Sequence, residues 1–474
     1  MKGDLVATSD LRVSGIASIN GNGVVNPTKT INSDNSEELL GLPDELVSRV
    51  RDLGMEVNDD TALVDIFKAR EQGMNFRQLS ALFTTALEIY EERGHNLYRR
   101  QLLGPSDAVA GVDYPREEGT REMIILASNN YLGLTTHPKV IQAACDAAQT
   151  YGTGAGSSPL LVGTFPVTAE LERKLAKLKG VDEACVFSSG YGANIGVISS
   201  VCGKNDLVVV DRLAHASIID GAKLSGANVR LFRHNDAKHL DRVLSRRKNQ
   251  SGTTLVAVEG IYSMDGDMAP LEQLIEVTKK HGALLLVDEA HSTGVIGPNG
   301  GGAVAHFGLT GEVDLIVGTL SKALAASGGF VCGSESAVTY IRYFARSAMF
   351  STCIPPMTAA TASAALDLVH NEPQLRERLW ENCRFMYGEL KRMGFNVGVG
   401  PSPIIPVIVG TMGALRTMTL ALHCDNICVN SVPFPAVAHG SERLRISLTA
   451  NHTLDQLERA LKCIEIAGKD AGVI

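Results

Sequence analysis

The segment GTLSKALAASGGF, residues 318 to 330, sets Lys322 just after an apolar, strand-like run and among small residues. Crowding and burial lower the pKa of a lysine and free its amine for nucleophilic, imine-forming chemistry. Taken alone, Lys322 reads better as a surface lysine at a strand end. Its company changes that reading. The run ALLLV leads directly into Asp288, Glu289, Ala290 and His291. An aspartate that ends a buried strand is costly unless a cation meets it, and a protonated pyridine nitrogen is such a cation. The plain alternative is an aspartate capping the next helix. His291 is spaced to reach a phenolic oxygen on the same ring, with a structural histidine as its alternative. SSGYGAN, residues 188 to 194, is a glycine-containing strand-to-helix turn whose amides can hold a phosphate, a weak signal by itself. DRLAHAS, residues 211 to 217, places His215 past another strand, where it suits stacking on an aromatic ring. On its own it would be an ordinary capping or core histidine.

These residues need a scaffold. Beyond about residue 120 the chain alternates short apolar or β-branched runs with helical stretches. ACVFSS, DLVVVD, NVRLFRH, TLVAVEG, ALLLVDEAH, LIVGTLSK and GFVCG read as strands, separated by periodic segments such as HLDRVLSRRK and LEQLIEVTKKH. The pattern predicts an α/β fold with a mainly parallel central sheet flanked by helices, whose ligands bind at the carboxyl ends of the strands. Ser188, Ser189, Asp211, Glu259, Asp288 and Thr319 all end or follow such runs. From about Ser351 two helical stretches, the strands PIIPVIVG and RLRISLTA, and a closing helix read as a smaller α+β domain. At the other end, residues 1–35 have the composition of a flexible tail. SEELLGLPDELVSRVRDLGM, DDTALVDIFKAREQ and FRQLSALFTTALEIYEERG then read as helices of an N-terminal extension over 36–120. That extension is expected to brace packing or a dimer, in preference to docking a carrier protein. The large domain is expected over 121–350 and the small one over 351–474.

Composition removes several alternatives. A net charge of -8 over 474 residues argues against a dedicated nucleic-acid or anionic-membrane binder, since both favour a basic face. The 9 cysteines are scattered and odd in number, which disfavours a disulfide framework and fits a reducing cytoplasm. Cys424 and Cys428 lie close to His423, but incidental thiols explain them better, and no metal is assigned. No run approaches the roughly 18 apolar residues of a membrane span, and MKGDLVATSD lacks the apolar core of a signal peptide.

Eight segments in order carry a resemblance: SNNYLGL (128 to 134), FSSGYGAN (187 to 194), DRLAHASIIDG (211 to 221), HND (234 to 236), EGIYSMDGDMAPL (259 to 271), VDEAHSTGVIG (287 to 297), GTLSKALAASGGF and RLRISLTANHT (443 to 453). Together they resemble the α-oxoamine synthases, a group that includes serine palmitoyltransferase and 8-amino-7-oxononanoate synthase, over roughly residues 95 to 470. The resemblance implies the fold type I architecture of pyridoxal 5′-phosphate (PLP) enzymes, aspartate aminotransferase-like, with a homodimeric active site. It also implies a condensation of an amino acid with an acyl-CoA or acyl carrier thioester, releasing carbon dioxide and the free thiol. By motif match, Lys322 carries PLP, Asp288 pairs with the ring nitrogen, His291 contacts the ring oxygen and His215 stacks on the ring. Gly190 and Tyr191, with Thr319 and Ser321, hold the phosphate; Ser263 lies near the ring and Asn129 near substrate. Arg445 is expected to bind the amino-acid carboxylate, although Arg443 shares its strand face.

The chain departs from the family pattern at Pro159, where a basic residue is usual, at Thr168, where a histidine is usual, and at Pro433, where bacterial serine palmitoyltransferases tend to have arginine. GTLSK and GTF nonetheless lean towards the serine palmitoyltransferase branch. Two other readings compete: a non-catalytic partner subunit, against which Lys322, Asp288 and His215 count, and another fold type I enzyme such as an aminotransferase or decarboxylase.

Overall fold

The computed structural model describes residues 73–92, 97–113, 120–247 and 252–474. The 1–35 tail and the first two expected helices lie outside the described residues. The third forms the helix Phe76–Glu92.

Seven of the strands expected from sequence build one sheet. Numbering strands along the chain, β1 (Gln101–Leu102), β2 (Val109–Asp113) and β3 (Arg121–Ile125) precede it. The sheet comprises β4 (Glu183–Phe187), β5 (Leu207–Asp211), β6 (Asn228–Phe232), β7 (Thr254–Glu259), β8 (Leu284–Asp288), β9 (Leu315–Thr319) and β10 (Gly329–Gly333), in the order β4-β10-β9-β8-β7-β5-β6. From β9 through β6 all neighbours are parallel. Helices cover both faces: Val208 and Val210 of β5 enter one apolar cluster and Leu207 and Val209 the other. That is why the strands inside the sheet read as unbroken apolar runs, whereas the edge strand β6 is largely exposed and carries Arg230. β10 instead runs antiparallel between β4 and β9. The 320–328 connection carrying Lys322 is shorter than the dozen or so residues that a parallel crossover requires. The chain therefore turns back beside β9, and its lysine stays at the carboxyl edge of the sheet.

Two small sheets stand beside this one. β11 (Ile404–Ile408), β14 (Arg443–Ser447) and β13 (Asn430–Val432) are antiparallel, in the order β11-β14-β13. β12 (Ile427–Cys428) pairs with β3 in the sheet β1-β2-β3-β12. The stretch to residue 120, expected to be helical, therefore contains β1 and β2. β12 and β13 are too short to show a period, and the helix Met412–Cys424 between β11 and β12 was equally unmarked. The closing helix Leu454–Asp470 starts in a capping box of Thr453 and Gln456. No helix of the described residues is long and apolar enough to cross a membrane.

Candidate active site

At the carboxyl ends of β4, β5, β8 and β9 lies a cavity of about 280 Å³. Gly190, Tyr191, His215, Asp288, His291, Thr319, Ser321 and Lys322, all anticipated from sequence, line it. Its floor is the start of the helix Gly190–Val201. Ser189 caps that helix by accepting from Gly192 N at 2.9 Å, while the amides of Gly190 and Tyr191 belong to its unpaired first turn. A Cβ on Gly190 would sit 3.0 Å from Thr319 Cβ and 3.1 Å from its Oγ1, so a side chain there would crowd the cradle. The Thr319 and Ser321 hydroxyls complete it, 2.7 Å apart. An oxyanion suits this set: helix-start amides, two hydroxyls and the positive end of the helix dipole.

Asp288 ends β8 buried, at 5% exposure. Its Oδ1 accepts from Ala290 N at 2.9 Å and its Oδ2 from Asn194 Nδ2 at 2.7 Å. Among the described residues no cation stands within ion-pair distance of it. Asn194 Nδ2 also donates to Ser217 Oγ at 2.9 Å, and that hydroxyl meets His215 Nδ1 at 2.7 Å. His215 caps the next helix with Nδ1 and presents its imidazole to the cavity; its backbone N–H donates to Glu259 Oε1 at 2.5 Å. Glu259 is buried, and burial together with the nearby Asp288 pushes its carboxyl well above the ordinary value. Burial lowers the Lys322 ammonium and Arg445 adds to this, while Asp288 and Glu259 oppose it. Glu259 was anticipated as a polar residue ending a strand run, whereas Asn194 and Ser217 were not given a role, although both lie inside segments already singled out.

Asn129, Ser263 and Arg445 form a second group. Arg445 on β14 is buried, with Nε on Ser263 O at 2.6 Å, Nη1 on Ser447 Oγ at 2.8 Å, and Nη1 and Nη2 on Asn129 Oδ1 at 3.3 and 3.2 Å. All these acceptors are neutral. Arg443, on the same strand face, differs: its Nη1 is paired with Asp265 Oδ1 at 2.8 Å. Tyr131, also missed from sequence, joins the groups. Its hydroxyl lies 3.2 Å from Asn129 Oδ1 and 2.7 Å from His291 Nδ1, so Nε2 of His291 is left for the cavity. Burial, then the charges of Lys322 and Arg445, hold His291 well below its ordinary pKa and therefore neutral. Burial raises the Tyr131 phenol to about 12, against the pull of Arg445.

The model of aminotransferase class I and II matches residues 121–464. The chain belongs to that family, as an α-oxoamine synthase. This synthase is 42% identical over 350 residues to 8-amino-7-oxononanoate synthase 1 of Bacillus subtilis (strain 168), covering 74% of the chain and 89% of that relative. Among solved structures it matches an alanine variant of serine palmitoyltransferase from S. paucimobilis with a bound PLP-myriocin aldimine, at 36% identity and a TM-score of 0.80, over 85% of this chain and 100% of that one. It also matches 8-amino-7-oxononanoate synthase from Francisella tularensis, at 29% identity and a TM-score of 0.64, over 74% and 99%. The family's cofactor is PLP, and the residues fit it. The buried carboxylate of Asp288 awaits a cation, the Gly190 cradle awaits an anion, and Lys322 offers an amine between them.

Proposed function

We propose that this chain condenses alanine with the thioester of a seven-carbon dicarboxylic acid, releasing carbon dioxide and the free thiol and leaving an α-amino ketone. The observation that carries the condensation is Arg445: a buried guanidinium held, among the described residues, only by neutral acceptors, whose charge is felt at both Lys322 and His291 in the cavity. It suits the carboxylate of an amino acid whose reacting carbon lies over the cofactor. The choice of substrates rests on the 42% identical relative named for 8-amino-7-oxononanoate. Carbons 8 and 9 of that product, with its amine, are what alanine leaves after losing its carboxyl. The other seven carbons are an acyl chain ending in a carboxylate. This outweighs the lean towards serine palmitoyltransferase drawn from GTLSK and GTF.

In this reading Gly190, Tyr191, Thr319 and Ser321 hold the PLP phosphate, Asp288 faces the ring nitrogen, His291 the ring oxygen, and His215 the ring face, with Ser263 near the ring. Bound PLP supplies an electron sink for charge that develops at the amino acid's α-carbon. Lys322 Nζ, its pKa lowered by burial, takes the α-proton and later returns one. Arg445 and Asn129 fix the carboxylate, so the bond to be broken is chosen by orientation. The helix Glu335–Phe344 exposes Tyr340, Tyr343 and Phe344, and with exposed Phe350 these supply an apolar face for a second copy, the homodimer implied by the family.

The test is thiol release by the PLP-loaded protein offered alanine, glycine or serine with pimeloyl or palmitoyl thioesters, on CoA or on carrier protein. Fastest release from alanine with a pimeloyl thioester supports the proposal. Release from serine with palmitoyl-CoA overturns the substrates and keeps the condensation. Amino transfer to a keto acid without thiol release overturns both.

A further inference from the structure

Outside the cavity, one histidine lies between two carboxylates. His234, in the HND segment after β6, has Nδ1 3.0 Å from Asp211 Oδ1 and Nε2 2.8 Å from Asp267 Oδ2. Asp211 ends β5 fully buried and also accepts from the backbone N–H groups of Leu213 and Asn235, each at 2.9 Å. Asn235, at a left-handed φ of 53°, adds Nδ2 to Asp267 Oδ2 at 2.8 Å. The buried ring of Tyr262 meets the imidazole edge-on at 4.4 Å. Burial pulls the imidazolium pKa down, but the hydrogen bonds and charges of Asp211 and Asp267 outweigh this and raise it to about 10. At neutral pH His234 is a cation joining two anions.

What it joins is informative. Asp211 belongs to the central sheet, whereas Asp267 lies on the 262–268 turn, closed by Tyr262 N to Asp267 O and Gly266 N to Tyr262 O, both at 2.9 Å. The far side of that turn reaches β14. Ser263 O accepts from Arg445 Nε at 2.6 Å, Met264 O from Arg443 Nη1 at 3.1 Å, and Asp265 pairs with Arg443. The turn also lies tight against β11: a Cβ on Gly266, at φ +71°, would sit 2.2 Å from Ile404 O. It is thus a tongue between the large sheet and the strand that carries both arginines, and His234 is its anchor on the sheet side.

We propose that His234, bridging Asp211 to Asp267, is a positioning residue for the amino-acid carboxylate: it locks the 262–268 tongue and thereby the guanidinium of Arg445. This rests on the reading of Arg445 given above. His234 does not line the cavity, so its loss acts through the tongue.

The experiment compares His234→Leu, Asp267→Asn, Arg445→Ala and the His234→Leu/Arg445→Ala double variant of the PLP-loaded protein. Alanine is titrated against the visible absorbance of the bound cofactor, with PLP affinity and the thioester KM measured in parallel. His234→Leu and Asp267→Asn are expected to weaken alanine binding between about tenfold and a hundredfold, the scale of a misplaced positioning group, with smaller effects on the other two constants. In the double variant His234→Leu adds nothing further, because its route is already gone. Should His234→Leu fail to fold, Asp267→Asn breaks the same bridge from its more exposed side and decides alone. Unchanged alanine affinity in the bridge variants, with a loss in Arg445→Ala, overturns the proposal and spares the reading of Arg445. Unchanged affinity in Arg445→Ala overturns both.

Discussion

Replacing Arg445 by lysine keeps the charge and removes the fork, which separates attraction from geometry. In the structure Nε and Nη1 are committed to Ser263 O and Ser447 Oγ at 2.6 and 2.8 Å, whereas the two contacts to Asn129 Oδ1, at 3.2 and 3.3 Å, are long and share one oxygen. In the proposed function those long contacts are the ones a substrate carboxylate would replace. A lysine ammonium has three N–H donors and no planar fork, so it cannot serve Ser263, Ser447 and both oxygens of a carboxylate together. At least one charge-assisted hydrogen bond is lost, worth about 1.5–3 kcal/mol. At about 1.4 kcal/mol per decade, the dissociation constant for the amino acid rises roughly tenfold to a hundredfold. Arg443→Lys is the control, because Arg443 already holds Asp265 and has no fork to offer. The assay is amino-acid titration of the cofactor absorbance, with PLP affinity measured separately. A larger loss from Arg443→Lys than from Arg445→Lys would refute the assignment, as would a loss of PLP affinity that accounts for the whole effect.

Three further outcomes are expected. Lys322→Ala removes the amine: borohydride reduction followed by mass spectrometry finds no cofactor attached to the chain, and thiol release falls by at least about a hundredfold; a retained adduct would place the cofactor on another residue. Lys179 and Glu289 form a fully buried ion pair, with Lys179 Nζ also on Thr293 Oγ1 at 2.7 Å and Gly301 O at 2.8 Å. Lys179→Met therefore costs about 3–5 kcal/mol in chemical denaturation and Lys179→Met/Glu289→Leu recovers most of it, whereas a wild-type midpoint in the single variant contradicts the argument. His452, buried with Nδ1 accepting from Thr449 N at 3.1 Å, is lowered to about 4 by burial, so folding holds it neutral. The unfolded chain then binds more protons below its ordinary value of about 6.5, and this stabilisation is complete above that pH and lost as pH falls towards 4, about 3 kcal/mol in all. Denaturation midpoints of His452→Gln should lack that slope, and an unchanged slope would assign it elsewhere.

The central sheet was legible because its strands, the exposed edge strand β6 with Arg230 excepted, are short apolar runs with a polar residue at or just past the end, a pattern imposed by burial on both faces. The distinction between Arg443 and Arg445 was not. Two residues apart on one strand, they share a face, and the partners that separate them, Asp265, Asn129 and Ser263, come from segments far away in sequence. Tyr131 escaped for the same reason: within SNNYLGL it reads as a core aromatic, and only the fold brings its hydroxyl to His291. β1 and β2 replaced expected helix: β1 is only 2 residues long and pairs with β2, which pairs in turn with β3, and only β3 reaches β12, so neither strand carries a period of its own that marks it.

The acidic strand ends sharpen the point. Asp211, Glu259 and Asp288 close β5, β7 and β8, all buried, and sequence alone treats them alike. Each is accommodated differently. Asp211 has the His234 imidazolium and two backbone donors. Glu259 is pushed well above the ordinary carboxyl range, which removes the need for a counter-charge. Among the described residues Asp288 has only the neutral donors Asn194 and Ala290, and it lines the same cavity as Lys322. A buried carboxylate is costly without a cation, so the one that no cation among the described residues meets is the one that, in the proposed function, a cationic ring would face.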